Sequence, residues 1–469
     1  MAKSDLERQV SRPRRPYRSA AHLAWVTVIL LTMMYALSFI DRLILAVLAN
    51  PIAQSLRLSD AQIGFLAGTS FAVLYSVSSL PSAQLIDTAN RKRLVLVGVI
   101  LWSAMTVASC FAVNLTSLLI SRSGVALGEA VLVPAAVSMV GDLFSKERRA
   151  LPMTVFSSMA AVMSPASFML GGMALALAGP ISARVGLEPW RLTFVMVGAP
   201  GLVLALIFWL LVREPARTSR KASEEDDEIT IVGFLRYIRR YYWFYAPLLL
   251  SQAALAFFAY ALLSWAPTIM IRAHGFAPAA ASFVFGLLVT PLSLAAIYFW
   301  PWLAMRIERR RANHGVPTSL LFASLLALPF FILAPLMTNR YLFVGGICLA
   351  TMATIAWGVL PSLGFQIFCP KRMRGRLAAL NLLLSNLVGY GLGPVLAVYF
   401  GHLWKNWPVL SGWGIAANPL ARGLATDGLI AAPVMIACTF ICLRTAKRMP
   451  VIEGAETASL KAVELAPAA

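Results

Sequence analysis

Twelve long apolar segments, separated by short polar connections, run along this 469-residue chain. A bilayer core about 30 Å thick requires a helix of about 20 apolar residues. A chain that crosses it must satisfy its own backbone hydrogen bonds, as helices and closed barrels do. Continuous apolar runs such as Leu202–Leu211 and Phe322–Leu333 lack the alternation of a barrel strand. We therefore predict an all-α membrane protein with twelve transmembrane helices.

The charged fraction supports this prediction. Only 13% of the residues are charged, against about 25% in soluble proteins, so water cannot be the solvent for most of the surface. An even number of crossings places both termini on the same side. We predict spans at residues 23–50, 61–86, 94–113, 116–141, 151–178, 191–212, 244–270, 281–305, 316–337, 341–367, 376–400 and 426–444.

Basic residues are distributed unequally between the two sides of the predicted membrane. One side, called the basic side below, receives the termini and clusters such as Arg91-Lys92-Arg93 and Arg309-Arg310-Arg311. The opposite side holds only Arg57, Arg184, Arg191, Arg272, Arg340, Lys405 and Arg422. Because Lys and Arg accumulate in cytoplasmic loops, the basic side and both termini are predicted to be cytoplasmic. The net charge of +20 is thus a topological signal, and no nucleic-acid partner is predicted.

The long polar insert in the middle of the chain suggests two similar halves. We predict a six-helix bundle with a basic tail at 1–212, a cytoplasmic linker at 213–242, and a second six-helix bundle with a short tail at 243–469. Within the linker, Gly233–Tyr242 has the composition of an interfacial helix, and the acidic run at 224–228 is interpreted as a solvated spacer. Each half also places an acid ahead of a basic triplet, Asp87 after span 2 and Glu308 after span 8. Such parallel repeats are typical of transporters.

Few ionisable residues remain inside the predicted spans. Asp41 and Arg42 lie in span 1, and Arg122 and Glu129 lie in span 4. Arg122 and Glu129 are seven residues apart, hence on one helix face but about 10 Å apart along the axis, so each needs a partner from another helix. Asp41 and Arg42 differ by about 100° around span 1, so they face different neighbours.

These residues suggest a site for proton coupling and gating. We predict that Asp41 and Glu129 carry the proton and that Arg42 is the switching partner, because a carboxylate that gains and loses an arginine can bind and release a proton. Arg122, Asp87 and Arg91 are predicted to form a supporting charge network. The alternative is a permanent buried ion pair that only fixes helix packing.

The second half shows no charged residue at mid-depth in its predicted spans. Its polar candidates for lining a cavity are Gln252, Tyr260, Gln366, Asn381, Asn386 and Tyr390. A cavity with one charged wall and one apolar, aromatic wall would suit an amphiphile with an ionic head and a hydrocarbon tail. The alternative is that these side chains face lipid or neighbouring helices.

The sequence gives no indication of an enzyme or a cofactor. It contains no nucleotide-binding motif, and its four histidines lie near span ends or in loops. The five cysteines have neither the spacing of a zinc site nor that of a disulfide framework, and we interpret them as packed free thiols. They are Cys110, Cys348, Cys369, Cys438 and Cys442.

Several motifs resemble those of the major facilitator superfamily. Asp87 followed by Arg91-Lys92-Arg93 resembles its loop motif after helix 2, although Ala83 and Thr88 stand where Gly and Arg are expected. Arg122 resembles its conserved arginine in helix 4. The segments 38–42, 58–64 and 128–130, which read Ser-Phe-Ile-Asp-Arg, Leu-Ser-Asp-Ala-Gln-Ile-Gly and Gly-Glu-Ala, resemble the spinster branch. The resemblance implies alternating access, a lipid-related substrate, and proton-coupling or gating roles at Asp41, Arg42 and Glu129.

We therefore predict a proton-coupled secondary transporter that works as a monomer in the cell (inner or plasma) membrane. Its substrate would be an amphiphilic anion such as a lysophospholipid or a sphingolipid phosphate, and its other partners would be protons and membrane lipids. One alternative is a transporter of a soluble organic anion, sugar acid or drug. Another is an uncoupled lipid facilitator or sensor.

Overall fold

The computed structural model describes residues 17–145, 148–217, 231–370, 373–404 and 418–449; the acidic run at 224–228 lies outside them. In this part of the chain, twelve helices are long and apolar enough to cross a membrane, which confirms the predicted number. Spans 1 to 12 are His22–Leu56, Asp60–Thr88, Arg91–Phe111, Leu115–Leu143, Ala150–Val185, Pro189–Leu211, Tyr242–His274, Pro278–Glu308, Gly315–Leu336, Arg340–Phe368, Arg374–Leu403 and Pro419–Ala446.

The spans pack as two bundles of six. In the first bundle, span 3 packs against spans 4 and 6, and span 1 packs against spans 5 and 6. In the second bundle, span 12 packs against spans 7, 9 and 11. Span 5 of the first bundle packs along span 8 of the second, and span 2 meets span 11. The seam between the bundles is therefore formed mainly by spans 1, 2, 5, 7, 8 and 11.

Three spans depart from regular α-helix near this seam. Span 2 contains a π-helical turn at Phe65–Thr69, and span 11 contains one at Ser385–Tyr390. Span 4 is interrupted between Leu115–Glu129 and Leu132–Leu143, so Glu129 ends its first helix. Such irregular turns inside helices occur frequently at functional sites.

The linker helix and the cysteines agree with the sequence analysis. The linker contains a helix at Ile231–Arg240, close to the predicted segment. All five cysteines are buried free thiols. Among the described residues, no group of three or more His, Cys, Asp or Glu is placed to bind a metal ion.

Span 12 begins earlier than predicted. It starts at Pro419 rather than at residue 426, with the side chain of Asn418 accepting a hydrogen bond from the Leu420 amide. An asparagine cap followed by proline is a typical helix start. The longer helix places Asp427 two turns after its first residue rather than at the start of the span, and the side chain is fully buried. Asp427 is therefore a buried acid inside the second bundle, which the expectation of no charged residue at mid-depth in this half does not include.

A cluster around Glu188 joins three spans on the side opposite the basic side. Its carboxylate accepts hydrogen bonds from Ser55 at 2.7 Å, Trp190 at 3.0 Å and Arg191 at 3.1 Å. Arg191 also donates to two backbone carbonyls at the end of span 3, that of Cys110 at 2.6 Å and that of Ala112 at 2.7 Å. The cluster therefore ties the ends of spans 1, 3 and 6 together.

We expect Glu188 to contribute stability that depends on pH. Partial burial alone would raise the pKa of Glu188, but the hydrogen bonds from Ser55, Arg191 and Trp190 hold it below its ordinary value. A carboxyl whose pKa is lowered on folding stabilises the folded state above its unfolded pKa of about 4.3, and this contribution is lost as pH falls through the folded pKa. Glu188→Gln should therefore lower the melting temperature at pH 7, with a difference that shrinks towards pH 3. Thermal unfolding in detergent at both pH values measures it, and an equal difference at both would contradict the assignment.

Candidate functional site

Span 1 directs its two charged side chains to different neighbours. Nη2 of Arg42 contacts Oε2 of Glu129 in span 4 at 2.8 Å. The Glu129 side chain is only 1% exposed, whereas that of Arg42 is 19% exposed. Breaking a buried pair by removing one partner typically costs about 3–5 kcal/mol, because the other charge remains buried. Arg42 thus neutralises Glu129 while part of its own side chain stays exposed.

Arg122 and Asp41 form the second part of the cluster. Nη2 of Arg122 donates a hydrogen bond to the backbone carbonyl of Asp41 at 2.6 Å. The Asp41 side chain is buried within electrostatic range of both Arg122 and Glu129. Among the described residues, Oδ1 of Asp41 and Oε1 of Glu129 have no hydrogen-bond partner. Two acids and two arginines therefore share one buried site with spare acceptor capacity on both acids.

The break in span 4 and a close helix contact position Glu129. A Cβ atom on Gly128 would lie 2.6 Å from the carbonyl oxygen of Gly98 in span 3, and one on Gly98 would lie 2.7 Å from that of Gly128. Only glycine at both positions permits this approach. The contact fixes the backbone next to Glu129 against span 3, so the carboxylate is held by rigid packing rather than by a loop.

Aromatic rings surround the Arg42 guanidinium. Its central carbon lies 4.9 Å from the ring centres of Phe71 and Tyr75 and 5.5 Å from that of Phe39. These distances fit cation–π interactions. Tyr390 of span 11 contacts Phe71 with ring centres 5.7 Å apart, and Tyr260 of span 7 contacts Tyr390 at 4.8 Å. Two of the predicted cavity residues, Tyr260 and Tyr390, therefore reach the charged site from the second bundle.

The other predicted cavity residues lie elsewhere. Asn386 is half-buried in the π-helical turn of span 11. Gln252 and Asn381 have buried side-chain oxygens, and neither oxygen has a hydrogen-bond partner among the described residues. Gln366 is exposed near the basic-side end of span 10. The structure does not bring Gln366 to the charged site.

The three residues of the predicted supporting network, Arg122, Asp87 and Arg91, do not lie together. Arg91 is buried at the basic side, where it pairs with Asp142 and contacts Glu214 at 2.8 Å and the carbonyl of Pro215 at 2.8 Å. Asp87 is exposed and takes part in none of the ion pairs found in the described part of the chain. Arg91 therefore ties the ends of spans 3, 4 and 6 together, some distance from Arg122 and Glu129.

One ion pair across the seam was not foreseen as part of the site. Arg272, at the end of span 7, contacts Asp60 at the start of span 2 at 2.8 Å, and its Nε donates to Oδ1 of Asn50 in span 1 at 2.8 Å. In the sequence, Arg272 stands out only as one of the basic residues of the opposite side. We call these three residues the opposite-side latch.

Close backbone contacts accompany the latch. A Cβ on Gly68 of span 2 would lie 2.5 Å from the carbonyl oxygen of Tyr390. Thr69 donates to the carbonyl of Gly391 at 2.5 Å, and on the far side of the seam Gly172 touches Phe283. The spacing Gly64-x-x-x-Gly68 is a known signal for close helix packing in membranes and would have predicted the contact. These contacts lie in the half away from the basic side, so the bundles are closed together there.

Comparisons with known proteins agree with this architecture. Residues 31–394 match the sequence profile of the Major Facilitator Superfamily. An "MFS-type efflux pump" of Mycolicibacterium smegmatis is 29% identical over 70% of this chain and 73% of that protein. "Protein spinster homolog 1" of Homo sapiens is 25% identical over 84% of this chain and 75% of that protein.

A solved structure shows the same fold. The structure described as a bacterial homolog to the human lysosomal transporter spinster, in an inward-facing and unoccupied conformation, superimposes with a TM-score of 0.76. The two chains are 26% identical, and the superimposed region covers 90% of this chain and 98% of the spinster homologue. The chain is therefore a multi-pass membrane transporter rather than an enzyme, and it belongs to the major facilitator superfamily, in its spinster branch.

Proposed function

We propose that this protein is a proton-coupled transporter of an amphiphilic anion that works by alternating access. The observation that carries the proposal is the buried Arg42–Glu129 pair beside Asp41, next to the seam between the bundles. Protonation of either acid removes one negative charge and leaves an arginine to find another partner. An anionic headgroup entering the seam offers such a partner to Arg42, which retains access there.

The substrate class follows from the surroundings of Arg42. Phe39, Phe71 and Tyr75 provide apolar surface around its positive charge, and Tyr260 and Tyr390 extend that surface into the second bundle. A headgroup with negative charge would pair with the guanidinium, while an alkyl chain would contact the rings. A lysophospholipid or a sphingolipid phosphate has both parts. The resemblance of the segments 38–42, 58–64 and 128–130 to the spinster branch implies the same substrate class.

The position of the contacts between the two bundles indicates the conformational state that we propose. The latch and the glycine contacts join the bundles away from the basic side, which the positive-inside rule assigns to the cytoplasm. The access path would then open to the cytoplasm. The inward-facing conformation named for the solved spinster homologue is consistent with this proposal.

Uptake into proteoliposomes tests the function. A fluorescent lysophospholipid should accumulate when a pH gradient is imposed, and a protonophore should abolish the accumulation. Flux that is independent of the gradient would contradict proton coupling and favour an uncoupled facilitator. The efflux-pump relative favours a second candidate, a transporter of a soluble organic anion or drug. Stronger competition by such a solute than by unlabelled lysolipid would identify it.

The latch should control opening of the half away from the basic side. Arg272→Gln removes the ion pair with Asp60, and partly exposed pairs contribute about 0.2–1 kcal/mol, so we expect opening to become about 1.4- to fivefold more frequent. Reaction of an impermeant maleimide with a cysteine introduced at Thr69 measures the opening. Arg340→Gln is the matched control, because Arg340 contacts only its neighbour Tyr341 among the bonds found in the described residues. Equal labelling in both variants would exclude the latch from gating.

A further inference from the structure

The linker helix, Ile231–Arg240, has two different faces. Phe234 is buried, and Tyr237 and Ile238 are half-buried against the second bundle. Arg236, Arg239 and Arg240 are exposed, and their spacing of three and four residues places them on one face of the helix. The helix is therefore attached to the protein along one side and presents three cations on the other.

Its attached face caps the end of span 10. The hydroxyl group of Tyr237 donates to the carbonyl of Phe368 at 3.2 Å, next to the hydroxyl group of Tyr245 in span 7, which donates to the same carbonyl at 2.8 Å. The last carbonyls of a helix lack partners within that helix, so they must be satisfied from outside. The Phe244 ring also packs against Phe368, with centres 4.8 Å apart, and Cys369 is fully buried directly after it. A displacement of the linker helix would thus remove the hydrogen bond from Tyr237, the contribution of this helix to holding the end of span 10.

The exposed face lacks acidic partners among the described residues. No ion pair there includes Arg236, Arg239 or Arg240, although Arg240 lies 5.9 Å from the ring centre of Tyr241. Leu235 is 58% exposed and Trp243 is 59% exposed beside these arginines. Apolar and aromatic side chains next to unpaired cations are typical of helices at the membrane–water interface.

We propose that the linker helix binds anionic phospholipid headgroups in the leaflet of the basic side and that this binding holds the end of span 10 in place. Arginines near an anionic leaflet attract its phosphates, and the attraction increases with each added cation. Span 10 leads directly into span 11, which carries Tyr390 to the charged site. Lipid charge would therefore regulate the second bundle. This proposal is independent of the proton coupling proposed above.

The buried thiol of Cys369 provides a direct readout. In the full chain, the other four cysteines are replaced by alanine, and the protein is placed in vesicles of phosphatidylcholine with or without about one-third phosphatidylglycerol. We expect phosphatidylglycerol to slow maleimide labelling of Cys369 by about threefold or more. Replacing Arg236, Arg239 and Arg240 by glutamine should remove this slowing.

The control variant carries the same loss of charge on the same side. Arg309, Arg310 and Arg311 are exposed after span 8, and replacing them by glutamine should preserve the slowing. Tyr237→Phe keeps the arginines, so phosphatidylglycerol should still be retained in native mass spectrometry while the slowing of labelling is weakened. Two results would overturn the proposal. In one, the slowing of Cys369 labelling by phosphatidylglycerol is lost equally in both triple variants; in the other, phosphatidylglycerol does not change the labelling rate of the protein with all its arginines.

Discussion

Glu129→Gln should abolish accumulation of substrate against its gradient while leaving exchange across the membrane intact. Glutamine mimics an acid that is permanently protonated, so it keeps a hydrogen-bond acceptor for Arg42 but cannot bind or release a proton. A gradient of about two pH units corresponds to about 2.7 kcal/mol per proton, or about a hundredfold accumulation. Loss of proton coupling should therefore remove the accumulation that the pH gradient drives. Uptake driven by an imposed pH gradient measures it, and counterflow of labelled substrate measures exchange.

The control for this variant is Glu188→Gln, the same chemical change in a cluster at the side opposite the basic side. It should accumulate substrate as the unaltered protein does. A Glu129→Gln protein that still accumulates substrate with the same dependence on pH would remove Glu129 from the coupling mechanism. It would then favour a permanent ion pair that only fixes the packing of spans 1 and 4. Retained counterflow separates loss of coupling from failure to fold.

Gly68→Leu should prevent the bundles from closing in the half away from the basic side. Any Cβ at this position would lie 2.5 Å from the carbonyl oxygen of Tyr390, and backbone cannot yield as a flexible side chain does. Spans 2 and 11 must then separate, so the open arrangement should dominate and transport should slow by about tenfold or more. Spin labels at Phe111 and Tyr341, exposed on opposite bundles, should report a longer distance.

Gly179→Leu provides the matched control, because a Cβ on Gly179 meets no atom of the described residues within 4 Å. It should leave both the distance distribution and the transport rate unchanged. If the two glycine variants gave the same distance distribution, the contact between Gly68 and Tyr390 would not determine closure. Thermal unfolding of both variants shows whether each has folded.

The sequence predicts the spans well because a helix that crosses the bilayer core must be long and apolar, and both properties can be read from the sequence. It also predicts that Arg122 and Glu129 share a face and need partners from elsewhere, since that follows from helix geometry alone. Which of Asp41 and Arg42 meets Glu129 was left open. The rotation and height of one helix against another depend on packing along their whole length, including the contact between Gly98 and Gly128.

Two residues show where sequence reasoning ends. Arg272 is one of several isolated arginines on its side, and nothing local distinguishes it from Arg340; only the approach of spans 2 and 7 gives it Asp60 as a partner. Asp427 stands at the start of the predicted span 426–444, because the residues before it are mixed in polarity, whereas Asn418 and Pro419 mark the true helix start. In both cases the role of the residue depends on the exact position of a helix end, which hydropathy along the sequence does not determine.

The π-helical turns of spans 2 and 11 link the environment of Arg42 to the winding of those helices. A π-helical turn holds one residue more than an α-helical turn, so its conversion to α-helix would rotate the following residues by about 100°. In span 2 this rotation would move Phe71 and Tyr75, which directly follow Phe65–Thr69, away from the guanidinium. A local change of helical pitch would thus expose or enclose the arginine without any change in its charge.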